Sequence, residues 1–357
     1  MSPQTATLVS TPTISLDGTT DSAATDDLVA LAVEETVEGL SWCEATFTNW
    51  GVRRAAPGYL YLSGDPIDFG TTLGVSFAGG GTLFTGVVSA LRADYPAAQP
   101  ARAQVLAEDG LWDLRLTRRT RTFTDAATAD LADQIATEHG LRADVSLDGP
   151  SRQVVAQLNE SDLAFLRGAA RADDGELWLD GDTLRIRRRP DRGTDTLTLA
   201  YGGDLLSFSV RADLAHQVTD LAVTGWSVAD AEPVDESASA DDLGAELGSG
   251  QRSGSAVLST AFGARGERIV RSTPLDADDA RALARAEYLR RARRFVCGTG
   301  VVSGNPALRV GVRVTLTGLG GIFDGDYLVC RTRHAYDMDQ GYRTEFEVER
   351  AGLGVAK

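Results

Sequence analysis

Apolar and polar residues alternate with a period near two along much of the chain, and helical spacing is confined to a few windows. Thr11-Pro-Thr-Ile-Ser-Leu-Asp-Gly18 reads as a short strand closing in a turn, residues 42–47 alternate weakly, and residues 59–62 are aromatic and aliphatic. Strands are predicted over Thr72–Phe77, 86–93 and 101–107, with Gly79-Gly-Gly81 turning the chain between the first two. Residues 26–35 read as a short helix or an irregular edge. Residues 1–112 are therefore expected to form a first β domain.

The middle of the chain differs. Residues 124–138 carry Leu131, Ala132, Ile135 and Ala136 at helical spacing, and Gly140 suits the position just past a helix end. Ser161 can cap a second helix whose Leu163, Leu166 and Ala170 share one side, stopped by Asp173-Asp-Gly175. Asp180-Gly181 lies between two short β runs, a tight hairpin signal. Residues 113–200 thus read as a small peripheral α+β domain.

From residue 201 the β pattern returns, over 205–210 and 217–225. Residues 229–256 interrupt it. Their first eighteen positions hold seven acids and no base, and Gly/Ser repeats follow, so a mobile acidic loop is expected. A helix is predicted over 277–295, with Ala280, Ala284, Tyr288 and Ala292 on one line. Acids stand at its start and arginines at its end, as the helix dipole favours. Strands then fill the last sixty residues, so 201–357 reads as a second β domain and the fold class is mostly β with an α+β insert.

Two distant segments look alike. Gly64-Asp-Pro66, Thr72–Phe77, Leu83-Phe84-Thr85-Gly86 and 101–108 find counterparts in Gly304-Asn-Pro306, 312–316, Ile322-Phe323-Asp324-Gly325 and 344–350. The offset is 240 residues at the first motif and 239 at the Phe-x-Gly motif. One β domain used twice explains this, with Phe84 and Phe323 as equivalent core residues followed by turns at Gly86 and Gly325. Three copies of such a chain give six similar units around one axis, a ring that matches a sixfold tube on one side and a threefold object on the other.

Several motifs together resemble the phage late control D family and the related VgrG hubs of type VI secretion. They are Leu158-Asn-Glu-Ser-Asp-Leu-Ala-Phe-Leu-Arg167, Asp174-Gly-Glu-Leu-Trp-Leu179, Thr183-Leu-Arg-Ile186, Phe84-Thr-Gly-Val87, Arg121-Thr-Phe123, Arg309-Val-Gly311, Phe323-Asp-Gly-Asp-Tyr-Leu-Val329, His334 and Gly341-Tyr-x-Thr344. The resemblance covers about residues 40–350. It implies a baseplate hub: a homotrimeric ring with two tube-forming, β-barrel-like domains per chain and smaller peripheral domains. It also implies an inner tube or tube-initiator protein on one side and other baseplate proteins around. Because the chain ends at Lys357, shortly after the second repeat, the spike is expected as a separate protein.

Composition narrows the partners. The net charge is −16 and the pI near 4.7, so nucleic acid is not expected as the primary ligand. Residues 1–20 are polar without a secretory pattern, and no run is long enough to span a membrane, so assembly in the bacterial cytoplasm into a phage tail or injection particle is expected. Cys43, Cys297 and Cys330 are scattered, which fits neither a disulfide framework nor a zinc site. His139, His216 and His334 belong to no hydrolase or phosphate-loop motif. Gly298-Thr-Gly300 follows a helix, unlike a dinucleotide loop, and Asp337-x-Asp339-x-Gly341 lacks the distal glutamate of a calcium loop. Glu160 and Asp162 flank a helix cap rather than facing each other. No catalytic, cofactor or metal residues are assigned and no enzyme is expected. A tail-tip cell-wall hydrolase and a host-surface adhesin remain the alternatives, separable by zymogram and by cell binding.

Overall fold

The structure, a computed structural model, describes residues 11–53, 56–63, 65–77, 81–193, 195–271 and 276–354. Gly64, Gly79, Gly80 and Lys357, named above, lie outside the described residues. The first strands are β1 (Pro12–Leu16), β2 (Leu28–Thr36), β3 (Trp42–Thr48), β4 (Thr72–Phe77), β5 (Gly81–Asp94) and β6 (Arg102–Glu108). Alternation turns one face of each into a shared core: Cys43, Ala45 and Phe47 on β3 and Ala103, Val105 and Ala107 on β6 are buried. Residues 26–35 are neither the helix nor the loose edge expected. The helix lies earlier, over Ser22–Asp26, and Leu28–Thr36 is β2. An alanine-rich apolar run has no decisive period, and strands on both of its edges settle the outcome.

The peripheral part follows as β7 (Arg118–Ala126), α1 (Thr128–Glu138), β8 (Arg142–Ser146), β9 (Arg152–Ser161), α2 (Asp162–Ala172), β10 (Gly175–Asp180) and β11 (Thr183–Arg188). Ser161 caps α2, its hydroxyl accepting from the Ala164 amide at 3.2 Å. Asp180-Gly181 turns the β10–β11 hairpin with Gly181 at φ 61°. Leu131, Ile135, Leu163, Leu166, Leu184 and Ile186 fill its separate core.

Next come β12 (Thr196–Ala200), β13 (Leu205–Ala212), β14 (Asp220–Ser227), β15 (Glu232–Ser239), α3 (Gly254–Phe262), β16 (Glu267–Val270) and α4 (Ala277–Arg293). They are followed by β17 (Val296–Ser303), β18 (Arg313–Thr317), β19 (Gly325–Asp337) and β20 (Gly341–Arg350). The chain's main sheet has 13 strands and runs β13-β17-β20-β19-β2-β3-β6-β5-β4-β1 and on to a two-residue strand, Thr19–Thr20, with β18 also on β19 and β12 beside it. Within it the first half follows the path β1-β4-β5-β6-β3-β2 and the second β12-β18-β19-β20-β17-β13. The strands follow one another in the same chain order in both halves, though β1 runs antiparallel to β4 whereas β12 runs parallel to β18. The fold is mostly β with an α+β insert, as expected; among the described residues the sheet stays open, ending at β13, and does not close into a barrel.

The acidic segment is also not the mobile loop expected. It forms β15, a 3-10 segment (Ala240–Glu246) and the start of α3, and it covers α4. Val234, Ala238, Leu243 and Leu247 pack with Ala280, Ala284, Tyr288 and Leu289. Its acids meet arginines: Glu236 binds Arg281 and Glu246 binds Arg293. Four apolar residues spread across an acidic run are enough to seat it once a helix face lies opposite.

Candidate assembly interface

The two halves meet where β2 pairs with residues 331–337 of β19, Thr36 opposite Arg331, Val33 opposite His334 and Ala30 opposite Asp337. On one face Leu31 and Val33 are buried and Tyr336 packs against the same core. Glu35, 7% exposed, binds the Arg309 guanidinium, and the Val310 amide donates to it at 3.4 Å. Burial alone would raise the Glu35 carboxyl, but the Arg309 charge and hydrogen bond hold it below the usual range. Tyr342 of β20 stacks on Phe77 of β4 with ring centroids 3.7 Å apart, which carries the second half into the first core. On the opposite face Arg331 spans Glu34 at 2.8 Å and Glu347 at 2.7 Å.

His334 lies at the centre of this joint, fully buried, with Nδ1 2.9 Å from the Tyr342 hydroxyl and 3.2 Å from that of Thr344. Burial pushes its pKa down from 6.5 to about 4, so it is neutral in the fold. The unfolded chain therefore takes up the proton first. The stability this neutral ring contributes is complete above pH 6.5 and is lost as pH falls toward 4. The loss amounts to roughly 3 kcal/mol at full extent. Thermal melts between those pH values should show this slope, and His334→Gln should flatten it. An unchanged slope in the variant would place the acid sensitivity elsewhere.

Phe84 is buried in the first core and stands opposite Val75; Gly86 stands opposite Leu73. A side chain on Gly86 would strike the Glu108 carbonyl and the Phe84 ring. Phe323 lies before β19, half-buried against the second core, its carbonyl accepting from the Tyr327 hydroxyl at 2.7 Å. Gly325 opens β19 opposite Leu316. Thr72 faces Val87 and Arg313 faces Leu328, so the strand register equates Phe84 with Gly325 and Gly86 with Tyr327. That is two residues away from the alignment the Phe-x-Gly motif suggests.

Sequence reasoning missed a better marker. Gly70 and Gly311 both take left-handed φ, 86° and 90°. Gly70 donates to the Val88 carbonyl at 3.0 Å while Val88 donates to Thr71 at 2.9 Å. Gly311 donates to Val329 at 2.9 Å and Val329 to Val312 at 3.0 Å, the same pair of bonds. Bulges recur as well: between Val88 and Ala90 on β5 and Val329 and Arg331 on β19, and between Leu28 and Ala30 on β2 and Leu205 and Ser207 on β13. A glycine following an apolar residue just ahead of a strand, at both places, was the available signal.

The residues weighed for chemistry are spread out. His139 has Nδ1 2.6 Å from Asp113 and Nε2 3.0 Å from Asp162, so both ring nitrogens are engaged. Asp162 is buried and also bound by Arg119 and Arg121, while His216 is exposed. Asp337 accepts from the Asp339 and Gln340 amides at 2.9 and 2.7 Å, closing the β19–β20 turn. No described helix is long and apolar enough to cross a membrane.

A family profile described as Alg8 N-terminal domain matches residues 69–337, from just before β4 to the end of β19. The chain belongs to the Alg8 N-terminal domain family. That is a different family from late control D, which the motifs resemble. No curated protein matches the chain in sequence. Among solved structures this Alg8 N-terminal domain protein is similar to a 43 kDa tail protein of prophage MuSo2 from Shewanella oneidensis. The identity is 16%, the coverage 96% of this chain and 98% of that one, and the TM-score 0.69. It is similar to a tail protein from Neisseria meningitidis MC58 at 12% identity, 95% and 96% coverage and TM-score 0.67. It is also similar to an E. coli component of the type VI secretion system, itself described as resembling T4 tail proteins gp27 and gp5. There the identity is 14%, the coverage 92% and 76%, and the TM-score 0.61. At these identities the likeness concerns the fold, which is that of phage tail proteins.

Proposed function

We propose that the chain is a structural baseplate hub of a phage tail or a related contractile injection machine, acting by assembly and not by catalysis. The observation that carries this reading is the duplication: two halves with one strand path, the same two bulges and the same glycine-anchored bonds. Three copies would set six equivalent units around an axis and join a sixfold inner tube to a threefold spike. The partners are then two further copies, a spike protein, an inner tube or tube-initiator protein and other baseplate proteins. Assembly would take place in the bacterial cytoplasm. Phe84, Gly86, Phe323 and Gly325 serve as structural positions at the β4–β5 and β18–β19 connections.

The expected result is a threefold mass by light scattering in concentrated protein, and a ring of six β units at the axis of particles imaged with this chain tagged. One copy or six at the axis would sink the reading. Clearing of peptidoglycan in a zymogram by the purified chain would replace it with a wall hydrolase, and cell binding by the isolated chain with an adhesin.

A further inference from the structure

The joint between β2 and β19 has two unused counterparts on the same chain. β2 pairs along both edges, with β3 and with β19. Its equivalent, β13, pairs among the described residues with β17 alone, and Leu206, Ser207, Ser209, Arg211 and Ala212 are exposed. On β19 one edge takes β18 at residues 325–328 and β2 at 331–337. On its equivalent, β5, the matching edge takes β4 at residues 81–87, and among the described residues no strand pairs with it over 89–94. The chain therefore carries one empty half of the joint on β13, at the end of its sheet, and the other along residues 89–94 of β5, inside it. β13 holds no proline or lysine and no covering strand, and such an edge is a template for pairing.

We infer that the ring closes by strand addition, β13 of one copy pairing antiparallel with residues 89–94 of β5 on the next copy, in the register of the internal joint. This rests on the hub reading above. The shared bulges fix the register: Ala90 faces Asp213, Leu91 faces Ala212, Arg92 faces Arg211, Ala93 faces Val210, Asp94 faces Ser209 and Tyr95 faces Phe208. The last pair repeats Tyr336 facing Leu31 inside the chain.

The side chains suit this pairing on both faces. Leu91, Ala93 and Tyr95 would meet Phe208, Val210 and Ala212, an apolar seam where the internal joint has Thr332, His334 and Glu35. Leu91 already packs against the first core and Phe208 and Val210 against the second, so the seam would join the two cores. Tyr95, 66% exposed, ends an edge-to-face row with Tyr59 and Trp50 that gives the neighbouring Phe208 a landing. On the other face each arginine, Arg92 and Arg211, lies diagonal to an aspartate of the other strand, Asp213 and Asp94, which offsets the two arginines standing opposite. The buried Glu35–Arg309 pair has no counterpart here, because Ala212 and Asp68 stand at those places. The joint between copies is thus the weaker one and depends on concentration.

Cysteines at Ala93→Cys and Val210→Cys in a Cys297→Ser chain should form a reducible crosslink between copies on mild oxidation, giving dimers and then trimers as concentration rises. The pair Ala93→Cys and Ala212→Cys, displaced by one step along the same face, should crosslink far less, since diagonal neighbours are about 7–8 Å apart. Ala212→Asp, at an exposed seam position, should lower the oligomer fraction while leaving the monomer's melting curve in place. If light scattering shows trimers but the displaced pair crosslinks better, or Ala212→Asp leaves trimers intact, the strand joint is wrong and the ring reading stands. If concentrated protein never exceeds a monomer's mass, the ring reading fails and takes the joint with it.

Discussion

Deleting residues 232–252 is expected to unfold the layer built on α4. The deletion removes β15, and with it Val234, Ala238, Leu243 and Leu247 from the core that contains Tyr288 and Leu289. Each fully buried valine or leucine contributes about 1.5–3 kcal/mol. The deletion also takes Glu246 from Arg293, a buried guanidinium that it binds at 2.7 Å through both oxygens, leaving Asp174 as the remaining carboxylate. Stripping a partner from a buried ion costs about 3–5 kcal/mol. Together these losses approach the about 5–15 kcal/mol that holds a typical domain. The variant should be insoluble, or should melt far below the parent and be cleaved rapidly within α4 under limited proteolysis. Asp235→Asn serves as the control, because its pair with Arg268 is half exposed on both sides and such pairs are worth at most about 1 kcal/mol. A soluble deletion variant melting within a few degrees of the parent would show that the contacts of β15 carry little.

That segment shows where sequence reading stops. Composition counts charges but not their partners, and the acids of β15 and the 3-10 segment are matched by Arg268, Arg281 and Arg293 from elements much later in the chain. Elements with local causes were legible: the Ser161 cap, the Asp180-Gly181 turn, the line of Ala280, Ala284 and Tyr288 on α4. β2 was not, because its strand character comes from β3 and β19 on its two edges. The repeat was visible in outline and displaced by two residues in detail, since Phe-x-Gly is a local likeness and register is set by the whole hairpin. The two halves share backbone bonds at Gly70 and Gly311 more than they share side chains. A fold specified that way tolerates wide drift in sequence, which fits a TM-score of 0.69 at 16% identity.

The internal joint supports an expectation with a built-in sign. Arg309→Ala should destabilise the protein more than Glu35→Ala does, although both break one ion pair. Glu35 is 7% exposed, whereas the Arg309 side chain is 36% exposed and can turn to water when its partner is gone. Removing the arginine strands a buried carboxylate, at a cost of about 3–5 kcal/mol; removing the glutamate should cost less than that. Acidity separates the cases further. In the parent Glu35 is held below its usual range, so its contribution is present above pH 4.5 and lost as pH falls through the folded value. In Arg309→Ala the burial that raises the carboxyl has lost its main opponent, with the lesser pulls of His334, the Arg192 charge and the Val310 amide remaining. The folded value then exceeds the unfolded one, and stability is complete in acid and falls as pH rises. Urea melts on either side of pH 5 should therefore show the Arg309→Ala deficit shrinking on acidification. The double variant Glu35→Ala with Arg309→Ala should recover part of the loss and lose that pH dependence. Equal small effects from both single variants, with no change of slope, would mean that the pair does not lock the two halves together.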